Sequence, residues 1–365
     1  MTAYTWLIVL LLMASYLFRG NQRGSKKFII IAFLLLFAVM GLRDVYAFGS
    51  DASGSNGSYP IIYRSIGGTA WSGLSGNGAI DYNTGFRYIF KLLYVLTEGD
   101  YQAAVTIISL YVTILYTRFI MKYSPSPIQS VLCLLGLLYF TLFFDALKQA
   151  VAMATLLLAY DAIIEKRPIK FIIVVAIAAT IHFPALVFLP AYWIGRMKVG
   201  RGYIFLLALI LMITYLFRDQ ILNLMLNAYG GDDIDATMEG IRFLRNKVII
   251  MIAIVVFAAL VRPPASDDIV YNSLLMFAGV AIVLQTFCGY SNIFERLADY
   301  YFHTSIIFIP LIFQKDRKSK MRNTVGSYLQ IISIMPLLIC VFAIWRFLST
   351  VNSSRIYMPY RFFWQ

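Results

Sequence analysis

The chain has 365 residues, 60% hydrophobic and only 13% charged, with a mean hydropathy of +0.75. A soluble domain carries about 25% charged and about 45–50% apolar residues, and here the apolar residues gather into bilayer-length runs, which excludes an ordinary soluble enzyme. Two histidines and three cysteines (Cys133, Cys288 and Cys340, each inside an apolar run, with no CxxC) argue against a structural zinc site or a disulfide framework, and the +13 net charge follows the loops between apolar runs rather than forming a nucleic-acid-binding patch.

The first run, Trp6 to Phe18, has no basic stretch before it and no small-residue cleavage site after it, so it reads as a permanent span. A membrane-crossing helix needs roughly 20 residues. Spans are predicted at 4–18, 28–47, 101–121, 128–145, 146–164, 169–181, 183–195, 203–217, 247–262, 270–289, 299–314 and 325–347, about twelve in all, with the pair meeting at His182 the shortest. The runs are continuously apolar and lack period-2 alternation, which excludes a strand barrel. The expected fold is an all-α polytopic transmembrane helix bundle, a single integral-membrane domain over residues 1–365. No repeat period is visible.

Two long connections interrupt the runs. Residues 48–100 include Phe48–Asn83, too polar to span and too Gly-rich for a rigid helix, followed by Phe86–Thr97, whose pattern fits an amphipathic surface helix. Residues 218–246 contain Gly230-Gly231-Asp232-Asp233 and then Glu239, Arg242 and Arg245; long loops in compact proteins are often lids or binding elements. The short loops holding Arg19, Arg23, Lys26 and Lys27, then Lys166, Arg167 and Lys170, then Arg196, Lys198 and Arg201, then Lys315 to Arg322, are basic and are assigned to the cytoplasm. Both termini and both long loops then lie on the extracytoplasmic side. That side keeps Arg43, Lys148, Arg242, Arg245, Lys247 and Arg296 at or near helix ends. Unpaired charge at membrane depth costs at least a few kcal/mol, so a polar cavity suited to an anionic ligand is expected there.

Five constellations stand out. Arg43-Asp44 ends the second span, with Gly49-Ser50-Asp51 and Tyr59 following; the alternative is an interfacial anchor with a local ion pair. Asp145, Lys148 and Gln149 fall at i, i+3 and i+4, one face of a continuous helix, and serve either as a hairpin salt bridge or as ligands for a phosphate. His182 lies in Ile181-His182-Phe183-Pro184, where Pro184 disfavours helix at Phe183; it is either a satisfied histidine at a break or a donor or general base. Arg296, Asp299, Tyr300 and His303 make a polar-aromatic stripe that a lipid-facing helix would not carry; the alternative is an aromatic belt with a helix-end ion pair. Arg242 and Arg245 together can also be an ordinary basic loop face. Walker A, GxSxG, HExxH and dinucleotide signatures are absent.

The ordered set GLRD (41–44), GSD (49–51), Tyr59, LKQAVAMA (147–154), IHFPAL (181–186) and ERLADYYF (295–302) resembles the EpsG-like group of Wzy-type polysaccharide polymerases, over about Gly41 to Pro310. One departure is that the stretch Asp81-Tyr82-Asn83-Thr84-Gly85-Phe86 stands where that group has Glu followed by Pro and Gly. Either Asp81 replaces that acid or the role is lost. The resemblance implies a multi-pass glycosyltransferase of the bacterial inner membrane, working without metal or cofactor. It would transfer a growing glycan from polyprenyl pyrophosphate to a sugar hydroxyl of a lipid-linked repeat unit. A flippase and a chain-length-setting copolymerase are implied as partners beside the bilayer itself, with no nucleic acid. In that chemistry fixed cations stabilise the leaving pyrophosphate: Arg43, Lys148, Arg242 and Arg296 are the candidates. Asp44, Asp51 and His182 are candidates for the base. Asp145, Gln149, Arg242, Arg245, Asp299, Tyr300 and Tyr301 are candidate substrate contacts. The competing readings are a lipid-linked-oligosaccharide flippase, an acyltransferase or polymer ligase, and a non-catalytic scaffold. Transporters tend to place charge at the bilayer midplane, whereas here it gathers at helix ends.

Overall fold

A computed structural model gives the fold and describes residues 2–18, 22–47, 58–75, 83–200, 202–229, 246–261, 268–288, 292–313, 326–354 and 356–365. Asp51, Asp81, Arg242 and Arg245 lie outside the described residues.

Among the described residues the chain is helical. Helix α1 (Ala3–Leu17) starts at Thr2, whose hydroxyl accepts the Thr5 N–H, and α2 (Gln22–Gly41) follows. The first long loop contains α3 (Ser58–Gly68) and α4 (Thr84–Leu96). Helix α5 (Tyr101–Tyr123) is capped by the Asp100 side chain, which accepts the Gln102 N–H. Then come α6 (Pro127–Gly136), α7 (Tyr139–Asp145) and α8 (Leu147–Ile164). Helix α9 (Pro168–Ile181) ends at His182 and passes through a 3₁₀ segment, Phe183–Phe188, into α10 (Ala191–Ile194). Prolines at the first turns of α6 and α9 supply a preset helical φ where no N–H partner is needed. The remainder is α11 (Tyr203–Leu216), α12 (Arg218–Tyr229), α13 (Asn246–Val261), α14 (Ile269–Gln285), α15 (Asn292–Phe302), α16 (Ser305–Ile312) and α17 (Gly326–Ser353).

Each predicted span overlaps helical residues, but only four helices among the described residues are long and apolar enough to cross a membrane: Arg23–Gly41, Tyr101–Tyr123, Leu147–Ile164 and Ile334–Ser353. The α6–α7 pair makes a fifth if counted as one bent span. Predicted span 128–145 is this pair, bent by 43°, because Leu138 takes the left-handed conformation at φ 67°. Predicted span 299–314 straddles the break between α15 and α16, and 183–195 is a 3₁₀ turn plus one short helical turn. The Gly-rich stretch 48–83 does contain a helix: Tyr59, Tyr63 and Ile66 of α3, at i, i+4 and i+7, are buried, with Tyr59 and Tyr63 packed on Phe86 and Phe90 of α4. The segment Phe86–Thr97 is helical as α4, burying Phe86, Phe90 and Leu93 while Leu92, Val95 and Leu96 stay exposed.

One hydrophobic core runs from Tyr4 to Tyr357. Helix α8 lies at its centre, buried along nearly its whole length and packed against α9 and α5. The two ends of α5 and α8 are chemically distinct. At the far end, Asp161 accepts from Arg118 (2.6 Å), Lys122 (2.9 Å) and Tyr123 (2.6 Å), and Glu165 pairs with Lys122 and Lys170. The ammonium of Lys122 holds the Glu165 carboxyl below its ordinary range. At the near end, the start of α1, the end of α2 and the C-terminal segment meet. The Tyr4 hydroxyl donates to the Tyr357 carbonyl (3.2 Å), the Asp44 N–H to the Arg361 carbonyl (2.9 Å), and Gln102 Nε2 to the Gly41 carbonyl (3.2 Å).

Candidate functional site

At that near end a polar cavity of about 630 Å³ opens between α7, α8, α13, α15 and α17. Its charged lining comprises Asp145, Glu295 and Asp299 against Lys247, Arg296 and Arg346, with Gln149, Tyr139 and Tyr357 completing the polar wall. Among the described residues the lining thus carries three acids and three bases, so it is not cationic on balance.

The helix breaks build this wall. Asp145 is the last residue of α7, and the chain turns at Ala146 (φ −122°, ψ 67°) before α8 begins. Asp145, Lys148 and Gln149 therefore do not share one helix face, because the helix they were placed on is two helices. Asp145 and Gln149 still both reach the cavity, whereas Lys148 is not part of its lining. The Lys148 N–H points to the Tyr59 hydroxyl at 3.4 Å. Gln149 Nε2 donates to the Arg296 carbonyl (3.3 Å), which ties the first turn of α8 to α15.

The acidic side of the cavity is largely neutralised from within. Lys247 Nζ lies 2.6 Å from Asp299 Oδ1 and 3.3 Å from Glu295 Oε1, and the Tyr139 hydroxyl donates to Asp299 at 3.1 Å. Arg346 Nη1 donates at 2.7 Å to the carbonyl of buried Gly136, one of those that the end of α6 leaves without an intrahelical partner. That uses one of the five guanidinium donors. The exposed Arg296 side chain makes no ion pair among the described residues. Tyr357 donates to Asp145 Oδ2 at 2.5 Å, and burial together with that carboxylate pushes its phenol above the ordinary range.

The predicted stripe on α15 splits between two environments. Arg296 and Asp299 face the cavity. Tyr300 turns away, its hydroxyl 2.5 Å from His182 Nδ1, and the charges of Lys148 and Arg296 reach that same histidine. Tyr301 donates to the Val187 carbonyl (2.7 Å) and packs on Phe188 and Phe277, so it is a core residue rather than a surface for sugars. His303 falls past the end of α15, fully buried edge-on to Tyr116 and Tyr139.

The GLRD motif is structural in its contacts. Arg43 is fully buried, its guanidinium 4.3 Å from the Phe144 ring centroid and 5.5 Å from that of Phe143, outside the cavity lining. The Asp44 side chain accepts the Tyr46 and Ala47 N–H groups at 2.9 and 3.2 Å, closing the turn after α2. Lys247, Glu295, Arg346 and Tyr357 also line the cavity and are not among the candidates read from the sequence. Arg346 carried a usable signal, since it is a cation inside an apolar run. Among the described residues no three His, Cys, Asp or Glu side chains come together to hold a metal ion.

The family model of the EpsG family matches residues 26–362, nearly the whole chain. The chain belongs to the EpsG family. No curated protein and no solved structure matches it. Membership in the EpsG family, together with the apolar helices, makes this a membrane protein of polysaccharide biosynthesis. The matched range holds every side chain of the polar cavity, including Arg346 and Tyr357, which lie beyond the motifs that carry the sequence resemblance.

Proposed function

We propose that this EpsG-family protein polymerises polyprenyl-pyrophosphate-linked oligosaccharide repeat units, without a metal, on the extracytoplasmic face of a bacterial inner membrane. The observation that carries the reading is Arg296, a guanidinium that faces a 630 Å³ cavity and makes no ion pair among the described residues, while Lys247, Glu295 and Asp299 pair with one another and Arg346 donates to the Gly136 carbonyl. Oxygens of an anionic leaving group are the natural partners of such a fork.

In the proposed step, the acceptor hydroxyl oxygen attacks the anomeric carbon of the growing glycan. The bond from that carbon to the pyrophosphate oxygen breaks, and the electron pair leaves on the pyrophosphate. Arg296 and the remaining donors of Arg346 stabilise the charge that develops there. The hydroxyl proton passes to a carboxylate. Asp145, which lines the cavity beside Arg296 and accepts from Tyr357, takes this role in place of Asp44. His182 and Tyr300, paired behind Arg296, are assigned to orienting α15 rather than to touching substrate.

The test is a polymerisation assay with purified protein, synthetic lipid-pyrophosphate repeat units and a chelator. The reading predicts a ladder of lengthened glycans. Movement of the intact lipid-linked unit between leaflets of a liposome, with no ladder, would overturn it in favour of a flippase.

A further inference from the structure

Beside the polar cavity lies a second chamber of about 290 Å³ whose lining among the described residues is almost wholly apolar, and Leu137 lines both. The two chambers share helix faces as well as a wall. On α13, Lys247 lines the polar cavity, and Ile250, Ile254 and Phe257, at i+3, i+7 and i+10, line the apolar one. On α17, Arg346 lines the polar cavity, and Phe342 and Ile339, at i−4 and i−7, line the apolar one. Residues at these spacings lie along one stripe of a helix. Each stripe therefore opens with a cation and continues as hydrocarbon.

The junction is fixed by a close helix crossing. A Cβ built on Gly136 would sit 2.5 Å from the Ala343 Cβ, so only glycine lets α6 and α17 approach this closely. The same glycine's carbonyl accepts from Arg346, holding the guanidinium at the boundary between polar and apolar volumes. A ligand that fills both chambers has an anionic head on Arg296 and Arg346 and a hydrocarbon chain directed past Leu137.

We infer that the apolar chamber holds the head-proximal isoprene units of the polyprenyl chain of the substrate, an inference that rests on the proposed polymerase reading for the identity of that substrate. The chamber sets the position of the pyrophosphate by gripping the tail. A bilayer phospholipid chain filling the same space is the competing occupant, and the test separates the two.

The experiment measures binding of inorganic pyrophosphate and of dimethylallyl, geranyl, farnesyl and long-chain polyprenyl pyrophosphates to the purified protein in detergent, by native mass spectrometry and competition. In the wild type, affinity rises with tail length and levels off once the chamber is filled. Ile254→Trp fills the chamber and lowers farnesyl pyrophosphate affinity at least tenfold while leaving inorganic pyrophosphate binding unchanged. Val256→Trp, on a 42% exposed position of α13 outside the lining, changes neither. Should Ile254→Trp fold poorly, Ile250→Ala widens the chamber and lowers the same affinity.

A wild-type affinity that does not depend on tail length overturns the inference. So does Ile254→Trp binding farnesyl pyrophosphate as the wild type does, or a bound phospholipid that farnesyl pyrophosphate fails to displace. A protein that builds glycan ladders without any tail-length dependence overturns the chamber and leaves the polymerase reading standing. Tail-dependent binding without a ladder does the reverse.

Discussion

Removing one member of the Lys247–Asp299 pair should cost far more than removing both. The side chains of Lys247 and Asp299 are 19% and 7% exposed and meet at 2.6 Å. Stranding one charge of a buried pair costs about 3–5 kcal/mol, whereas replacing both partners is often close to neutral. Lys247→Met leaves Asp299, the more buried partner, with the Tyr139 hydroxyl and with Glu295 as a like charge nearby, so its cost sits near 5 kcal/mol on that scale. Asp299→Asn leaves Lys247 with Glu295 at 3.3 Å, a partner that is 32% exposed, so its cost sits near 3 kcal/mol. The double variant removes both charges and should return to within about 1–2 kcal/mol of the wild type. The assay is denaturation of the purified protein in detergent micelles followed by tryptophan fluorescence. A double variant that loses the sum of the two single costs would show that the pair is not coupled and that the cavity wall is held by something else.

Other perturbations separate fold from site. Gly136→Ala should destabilise by about 1–3 kcal/mol, because the new methyl group meets the Ala343 Cβ and Cα at 2.5 and 2.6 Å and the helices must part; thermal melting reads this directly. Asp161→Asn, at the far end, weakens three hydrogen bonds to a carboxylate that is only 1% exposed and should cost about 1.5–3 kcal/mol in melting assays while the turnover of the folded fraction stays at the wild-type level. Tyr357→Phe removes the hydroxyl that positions Asp145 and should lower stability by about 1.5–3 kcal/mol, with glycan transfer falling in kcat rather than rising in KM. Arg43→Ala empties a fully buried site over Phe143 and Phe144 and should abolish accumulation of folded protein, which fluorescence-detected size exclusion would show.

Much of the architecture was legible because bilayer-length apolar runs are a strong signal. Helices α5 and α8 were placed to within two residues of their observed ends. The breaks were harder to read. Ala146 is a good helix former, and nothing in Phe144-Asp145-Ala146-Leu147 announces a turn, so Asp145 and Lys148 were assigned to one face they do not share. Helix α3 escaped because the Gly-Ser stretch before it dominated the window, although Tyr59, Tyr63 and Ile66 carried the helical period. For the site, α15 was the most informative segment, since Arg296 and Asp299 do meet in the cavity. Tyr300 and Tyr301, read from the sequence as substrate contacts, instead close their hydroxyls onto His182 and the Val187 carbonyl. Tyr357 joins the cavity only through contacts between segments distant in sequence, which no local pattern encodes, whereas Glu295 sits four residues before Asp299 on the same face of α15. Arg346 is the instructive omission: an arginine within an otherwise apolar run has to be solvated or paired, and the Gly136 carbonyl and the cavity do both.

Arg296 is the cation assigned to meet the leaving pyrophosphate. The direct measurement is the rate of glycan-ladder formation by Arg296→Ala, using protein shown to melt at the wild-type temperature. Loss of one preorganised charge-stabilising donor costs about 10²–10³ in kcat, so the account predicts a drop of that size, with partial recovery in Arg296→Lys. A folded Arg296→Ala protein that builds ladders at the wild-type rate would contradict it.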